Sequence, residues 1–139
     1  MTSPEAVGDD TLDTETDVVE VRVPARVVYV STLRRTAASL AASCDLTIDD
    51  IEDLRLAVDE ACALLLPHAT PDSRLTARFA LATGRLQVST SVSTLDVSEP
   101  DRDGFGWTVL GALATSVDVH KDDAQLTISV VKAREAAPA

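Results

Sequence analysis

The sequence predicts a two-layer α/β (α+β) sandwich in which a mostly antiparallel sheet of four to five strands carries three helices on one face. Short segments of alternating apolar and polar residues are typical of half-buried strands, and longer segments carry a single apolar stripe at helical spacing. The order is strand, helix, helix, strand, strand, helix, strand, strand, which favours helices packed on one face of an antiparallel sheet. With 139 residues, 45% of them hydrophobic, the chain is expected to form one domain.

The first strand and the first helix are predicted near the N-terminus. Residues Val18 to Val23 alternate as VVEVRV and are followed by Pro24, as is typical of a strand that ends there. A helix is expected from about Tyr29 to Ser43, with one apolar stripe. The stripe consists of Val30, Leu33, Ala37, Leu40 and Cys44. Arg34 and Arg35 lie off this stripe, so both are predicted on the exposed side, where a solvated basic turn is the plain alternative to a binding surface.

The clearest helix lies within residues 47–70. Its apolar residues recur at the spacing of a single helix face that must meet a core. They are Ile51, Leu54, Val58, Ala61 and Leu65. Thr47 with Asp50 three residues later resembles a capping box, and Pro67 stands where the helix is expected to end. Both ends of this helix are therefore marked in the sequence.

The second half of the chain predicts two hairpins with a helix between them. Arg74 to Leu81 and Leu86 to Val92 alternate as strands on either side of a turn that contains Gly84. After a polar segment, a helix is expected from Trp107 to about Ser116. The closing hairpin pairs residues 117–120 with residues 126–131.

The formal net charge of −11 is concentrated at the N-terminus. Residues 1–20 contain seven acidic residues and no lysine or arginine, so residues 1–17 are predicted to be a disordered acidic tail. Residues 18–132 form the predicted domain and residues 133–139 a second tail. Without a basic stripe, direct nucleic-acid binding is disfavoured. No apolar run is long enough to span a membrane and no secretory signal is present, so a cytoplasmic protein is expected.

The two cysteines and two histidines show no metal-binding spacing. Cys44 and Cys62 both lie on apolar faces of predicted helices. Buried reduced thiols are therefore expected rather than a disulfide.

Two motifs carry a resemblance to a known family. The central helix reads Glu60-Ala61, then Leu64, then His68-Ala69, and the third helix begins in the stretch DGFGWTVL at residues 103–110. These stretches resemble E-A-x-x-N-x-x-x-H-A and S-G-M-G-F-T-I-M of bacterial anti-sigma factors of the RsbW and SpoIIAB type, in the gyrase, histidine kinase and MutL superfamily. The resemblance covers about residues 18–132. It implies the histidine kinase-like ATPase fold, in which ATP lies between the helices and the sheet.

The resemblance also implies roles for particular residues. Glu60 takes the position of the base that activates a serine hydroxyl, and Leu64 stands where the family carries the asparagine that holds magnesium. The candidate phosphate loop consists of Gly104, Gly106 and Thr108. The family's D-x-G-x-G adenine motif is missing, because residues 85–103 contain no glycine. Since leucine offers magnesium no oxygen, we expect ATP and magnesium to bind weakly, with neither required and no metal site retained.

The leading functional hypothesis is an anti-sigma factor that sequesters an alternative sigma factor and is released by an anti-anti-sigma factor with a STAS domain. The resemblance puts a sigma-contacting arginine at Arg34, and Arg35 and Tyr29 complete the predicted partner surface. One alternative is an active ATP-dependent serine protein kinase that phosphorylates the anti-anti-sigma factor, although loss of kinase activity is expected. The second alternative is a non-catalytic dimerisation module on the same fold, and a homodimer is considered in each case.

Overall fold

The computed structural model describes residues 17–95 and 102–135, and these residues form a five-stranded sheet with three α-helices. The order of elements and the α/β class agree with the prediction. Short 3-10 turns at residues 27–29 and 66–68 precede the first helix and follow the second. The elements are β1 (Asp17–Pro24), α1 (Val30–Ser43), α2 (Ile48–Leu65), β2 (Arg74–Ala82), β3 (Arg85–Ser93), α3 (Phe105–Leu113), β4 (Ser116–Lys121) and β5 (Gln125–Ala133).

The sheet is antiparallel throughout, in the order β1-β2-β3-β5-β4. The strand that comes last along the chain, β5, therefore lies inside the sheet between β3 and β4. One row of paired residues crosses all five strands and is apolar: Val19, Phe79, Val88, Val130 and Val117. Phe79, Val88 and Val130 are buried, so this row belongs to the core beneath the helices.

The two faces of the sheet differ sharply in polarity. On one face α1 packs against β2 and β3, and α2 packs against β3 and β5. The neighbouring row of paired residues points to the other face and is polar: Glu20, Arg78, Ser89, Ser129 and Asp118. The hydroxyls of Ser89 and Ser129 are 2.8 Å apart and hydrogen-bonded. This alternation follows from the two-residue period of a strand with one buried face.

The central helix α2 has the start that the sequence predicts. The Asp50 backbone N–H donates to Thr47 Oγ1 at 3.1 Å, and the Thr47 N–H donates to Asp50 Oδ2 at 3.3 Å, so the capping box is complete. Leu54, Val58 and Leu65 are fully buried. The regular helix ends at Leu65, and the 3-10 turn that follows contains Pro67.

The predicted bounds of the third helix were wrong. The helix begins at Phe105 and ends at Leu113, and Ser116 is already the first residue of β4. Lys132 Nζ donates to the Leu113 carbonyl at 2.8 Å, and the Thr115 N–H donates to the Val131 carbonyl at 2.8 Å. These two hydrogen bonds connect residues 113 and 115 to β5, so the chain leaves the helix after Leu113 and enters the sheet as β4.

The prediction of a C-terminal tail from residue 133 was also wrong at its start. Ala133 ends β5, and the Arg134 N–H donates to the Gly84 carbonyl at 2.8 Å. The Arg134 side chain donates to Asp45 Oδ2 at 2.9 Å, at the loop between α1 and α2. Asp17, assigned to the N-terminal tail, belongs to β1. Residues 1–16 and 136–139 lie outside the described residues, so the predicted disorder there stays a prediction.

Both cysteines are free and buried, as the sequence predicts. Burial raises the pKa of the Cys62 thiol to about 12, and the nearby Asp59 carboxylate acts in the same direction. Burial also raises the pKa of the Cys44 thiol, although hydrogen bonds from the Ala82 backbone and the Ser43 side chain oppose the change.

We expect both thiols of the folded protein to resist a disulfide reagent such as dithionitrobenzoate at pH 8, because the thiolate is the reactive form. In denaturant both should react at once. In the folded protein, Cys44 lies at the end of α1 and should react before Cys62, which is inside the core; a Cys44→Ala variant assigns the two phases. Rapid reaction of two thiols per folded chain would contradict the buried positions.

Candidate functional site

One candidate site lies where the C-terminal half of α2 meets the start of α3. Glu60 and Leu64 are one helical turn apart on α2, and both are partly buried. A Cβ atom added to Gly106 would lie 2.5 Å from Glu60 Oε2 and 3.0 Å from Leu64 Cδ2. The backbone of α3 therefore rests directly on these two side chains. The structure brings Glu60, Leu64 and Gly106 together from stretches of sequence more than 40 residues apart.

At the start of α3, the backbone carbonyl of Gly104 is satisfied by hydrogen bonds from within the helix. Gly104 is the N-cap residue, with extended backbone and no side-chain cap. The Gly104 carbonyl accepts from the Thr108 backbone N–H at 3.2 Å and from Thr108 Oγ1 at 3.3 Å. The Thr108 hydroxyl is thus directed back along its own helix. Of the three residues predicted for a phosphate loop, Gly106 lies in close contact with Glu60.

The arginine predicted to be an exposed contact has a different environment. Arg34 Nη1 donates to both carboxylate oxygens of Asp59, each at 3.1 Å, and links α1 to α2. The Arg34 and Asp59 side chains are 30% and 35% exposed, so the expectation that Arg34 lies on the open side of α1 was wrong. Arg34 Nε is buried, and within residues 17–95 and 102–135 it has no hydrogen-bond partner. Arg34 stands beside Leu33 at the edge of the buried stripe, where α1 packs against α2.

The other two predicted contact residues lie at the end of the 3-10 turn (Tyr29) and within α1 (Arg35). Arg35 is exposed, and no ion pair or hydrogen bond of its side chain occurs within the described residues. Tyr29 is partly buried and packs against the core at the end of the 3-10 turn. Arg35 is therefore the most exposed of the three predicted contact residues.

A groove that sequence reasoning missed lies beside the Arg34–Asp59 pair. The groove has a volume of about 280 Å³. Its lining residues are Val27, Val30, Ser31, Arg34, Asp59, Ala63 and Leu66. Val27 and its neighbour Val28 are 76% and 65% exposed. The signal in the sequence is the run VVYV at residues 27–30, because one helix face cannot bury four consecutive apolar residues.

Comparison with known proteins identifies the family. The family described as the histidine kinase-like ATPase domain matches residues 23–132, which is most of the chain. The chain belongs to this histidine kinase-like ATPase domain family.

Individual relatives of this histidine kinase-like ATPase domain carry RsbW names. The chain is 36% identical over 111 residues to the anti-sigma-F factor RsbW of Mycobacterium tuberculosis, covering 77% of this chain and 64% of that protein. It is 38% identical over 80 residues to the serine-protein kinase RsbW of Bacillus velezensis, covering 55% of this chain and 50% of that protein. The chain thus matches between half and about two thirds of the length of these relatives.

A solved structure supports the same fold. The RsbU and RsbW domains of Rv1364c from Mycobacterium tuberculosis superpose with a TM-score of 0.64 at 18% identity, covering 87% of this chain and 35% of that chain. This similarity bears on the fold of the domain alone. Within the described ranges, no helix combines the length and apolar composition needed to cross a bilayer.

Magnesium does not fit the site that this histidine kinase-like ATPase domain presents. The ion requires oxygen ligands in a near-octahedral arrangement, and Leu64 contributes only methyl groups. Those methyl groups and the Glu60 carboxylate lie directly against Gly106, where a Cβ has no room. In the described part of the chain, no three His, Cys, Asp or Glu side chains are grouped to hold a metal.

Proposed function

We propose that this domain is an anti-sigma factor that acts by binding an alternative sigma factor in the cytoplasm. The observation that carries the proposal is the open groove beside Arg34, with the exposed Val27 in its lining and the exposed Val28 next to it in the chain. Clustered apolar residues with a charged rim are typical of protein interfaces. The name of the Mycobacterium tuberculosis relative, an anti-sigma-F factor, points in the same direction.

We further propose that release depends on a competing protein, an anti-anti-sigma factor with a STAS domain, rather than on phosphoryl transfer. The contact of Leu64 with Gly106 supports this choice, because it leaves magnesium no ligand at the position of the family's asparagine. The second candidate function is a serine-protein kinase. One observation favours it: Glu60 is retained in α2, and its carboxylate lies against Gly106 in the first turn of α3.

The test of the proposed function is direct binding. Each sigma factor of the source organism is purified and titrated against the intact chain, and a bound complex is then challenged with purified STAS proteins of the same organism. We expect one alternative sigma factor to bind and one STAS protein to displace it. Failure of every sigma factor to bind would reject the proposal, and a homodimer without other partners would favour the dimerisation module.

ATP binding separates the two candidate functions. We expect the wild-type chain to bind ATP with magnesium more weakly than about 1 mM, which corresponds to about −4.1 kcal/mol. The Leu64→Asn variant supplies an oxygen ligand and should bind more tightly in the presence of magnesium. Isothermal titration calorimetry, with and without magnesium, measures both proteins.

The matched control for this titration is Leu64→Ala, which removes the same methyl groups but adds no oxygen. It should not gain magnesium-dependent affinity. Micromolar ATP binding by the wild-type chain would reverse the ranking and make the kinase the first candidate.

A further inference from the structure

We propose that the open face of the sheet binds the acidic segment of its own chain, residues 1–16, through arginines of β1 and β2. The open face is the side opposite the helices, where the polar row of paired residues lies. It is separate from the groove beside Arg34, which is lined by residues in and around α1 and α2. The proposal goes beyond the anti-sigma function and does not depend on it.

A polar depression of about 560 Å³ lies on the open face. Every described residue that lines it is polar or charged, and hydroxyl groups are frequent among them. Thr76, Ser91 and Thr127 are neighbours in the register of β2, β3 and β5 and form one row of this lining. Hydroxyl and guanidinium groups both donate hydrogen bonds, so the depression suits a partner rich in acceptors rather than an apolar one.

Positive charge exceeds negative charge in the depression. Its charged residues are three arginines, Arg22, Arg74 and Arg78, and two acids, Glu20 and Asp72. Arg22 pairs with Glu20 at 3.4 Å. Within residues 17–95 and 102–135, the guanidinium groups of Arg74 and Arg78 make no ion pair or hydrogen bond, and both residues are exposed. Two arginines are therefore available to carboxylates, in a chain whose formal net charge is −11.

This positive charge lies on the β1–β2 side of the sheet. Arg22 belongs to β1, and Arg74 and Arg78 belong to β2. Arg85 precedes a buried residue at the start of β3, so its side chain is directed to the same open face. Asp118, a carboxylate of the open face, belongs to β4 at the opposite edge. An acidic segment is therefore attracted to the side of the sheet that β1 forms.

Residues 1–16 fit this surface in charge and in reach. They contain no lysine, arginine or histidine. Their five acidic residues are Glu5, Asp9, Asp10, Asp13 and Glu15. The segment joins the sheet at Asp17, whereas Arg74 lies opposite Pro24 at the other end of β1, about 27 Å away. Residues 1–16 span at most about 58 Å when fully extended, so they can turn back along β1 and reach Arg74.

The covalent connection favours the chain's own segment over a separate acidic partner. An exposed ion pair is weak on its own, and 0.15 M salt screens charges that are more than about 8 Å apart. A segment of the same chain is present at an effective concentration on the order of millimolar, whereas a separate peptide would have to be supplied at that concentration. Several weak ion pairs therefore suffice to hold residues 1–16 on the open face.

The test locates residue 3 relative to the sheet in the intact chain. A nitroxide is attached to a Ser3→Cys variant; Cys44 and Cys62 are buried, so the label reacts with the new thiol. Paramagnetic broadening of backbone amide signals is then recorded by NMR on isotope-labelled protein. In 0.1 M salt, we expect residues 74–78 and 89–93 to be broadened more than α1 and α2. In 1 M salt, the Debye length falls from about 10 Å to about 3 Å, and the broadening should fall by at least half.

Uncharged variants identify the groups that hold the segment. Arg74→Gln with Arg78→Gln removes two exposed charges that lack a partner within the described residues, so the fold should be unchanged while the broadening falls by at least half. Asp9→Asn with Asp10→Asn should reduce it from the side of the segment. The matched control is Arg35→Gln, which removes an exposed arginine from α1 and should leave the broadening unchanged.

Three results would overturn the proposal. Equal broadening of the helices and the sheet would reject the open face as the site, and full broadening in the Arg74→Gln, Arg78→Gln variant would reject the arginines. In the third experiment, spin-labelled chains without the isotope are mixed with isotope-labelled chains without the spin label, and we expect no broadening. Broadening of β2 and β3 in that mixture would assign the face to a second copy of the chain. These measurements need no sigma factor, so their outcome is independent of the proposed function.

Discussion

Replacing Leu54 with alanine is expected to lower the free energy of unfolding by about 2 to 5 kcal/mol. Leu54 is fully buried in α2, which packs against α1, α3, β3 and β5. The lost methyl groups forfeit their transfer free energy, and the remaining cavity adds a further cost because close-packed neighbours relax only in part. Urea denaturation followed by far-ultraviolet circular dichroism measures the change.

A leucine two residues further along the same helix provides the control. Leu56 is 52% exposed, and Leu56→Ala should change the free energy of unfolding by only about 0.5 kcal/mol. Equal losses at the two positions would mean that α2 is not oriented as described. Both variants replace leucine with alanine in the same helix, so the change in helix propensity is the same. The difference between the two free energies of unfolding therefore reports burial.

Charge reversal at Arg34 is expected to weaken sigma-factor binding by at least about 2 kcal/mol, or about 30-fold. A glutamate at this position removes the guanidinium group from the predicted partner surface and faces the Asp59 carboxylate. The substitution also affects the fold, because Arg34 binds both oxygens of Asp59. The pair is partly exposed, so we expect a stability loss of about 1 kcal/mol from the substitution. Calorimetric titration and thermal melting measure the two effects separately.

A second charge reversal distinguishes loss of binding from loss of folding. The double variant Arg34→Glu with Asp59→Arg restores an opposite pair and should recover the melting temperature without recovering affinity. Arg85→Glu makes the same charge change at the β2–β3 hairpin, where it should leave binding intact. Full recovery of affinity in the double variant would show that the net charge of the pair matters and that Arg34 itself does not.

Much of the sheet and of α2 could be predicted because local patterns determine them. Leu86, Val88, Thr90 and Val92 alternate along β3 and are all buried. A strand with one buried face has this two-residue period, so the pattern identifies both the element and its inner side. The start of α2 could be predicted equally well, since a capping box needs only residues within one helical turn.

The end of α3 could not be predicted from local sequence. The sequence predicts a helix from Trp107 to about Ser116, but the helix ends at Leu113, whose carbonyl accepts a hydrogen bond from Lys132, 19 residues later. Lys132 also donates to Asp53 Oδ2 at 3.0 Å, so its position depends on α2 as well. Such an end is determined by tertiary contacts rather than by propensity.

The candidate site was predicted only in part, because some of its contacts join residues that are far apart in the sequence. Glu60, Leu64 and Gly106 were found because the resemblance selected two motifs, and the structure brings them into contact. The partner of Arg34 was missed, since Asp59 lies 25 residues away on another helix. The groove was missed because its lining comes from the 3-10 turn, α1 and α2 together.

The internal position of β5 has a consequence for biosynthesis. During synthesis, a domain generally folds as a unit. Here β3 and β4 become available before the strand that joins them, so the sheet cannot be completed until Ala133 has emerged from the exit tunnel. Until then, β3 and β4 both present unpaired backbone groups, the edges at which nascent chains aggregate. Folding of this domain as a unit therefore has to wait for the final hairpin, β4 and β5.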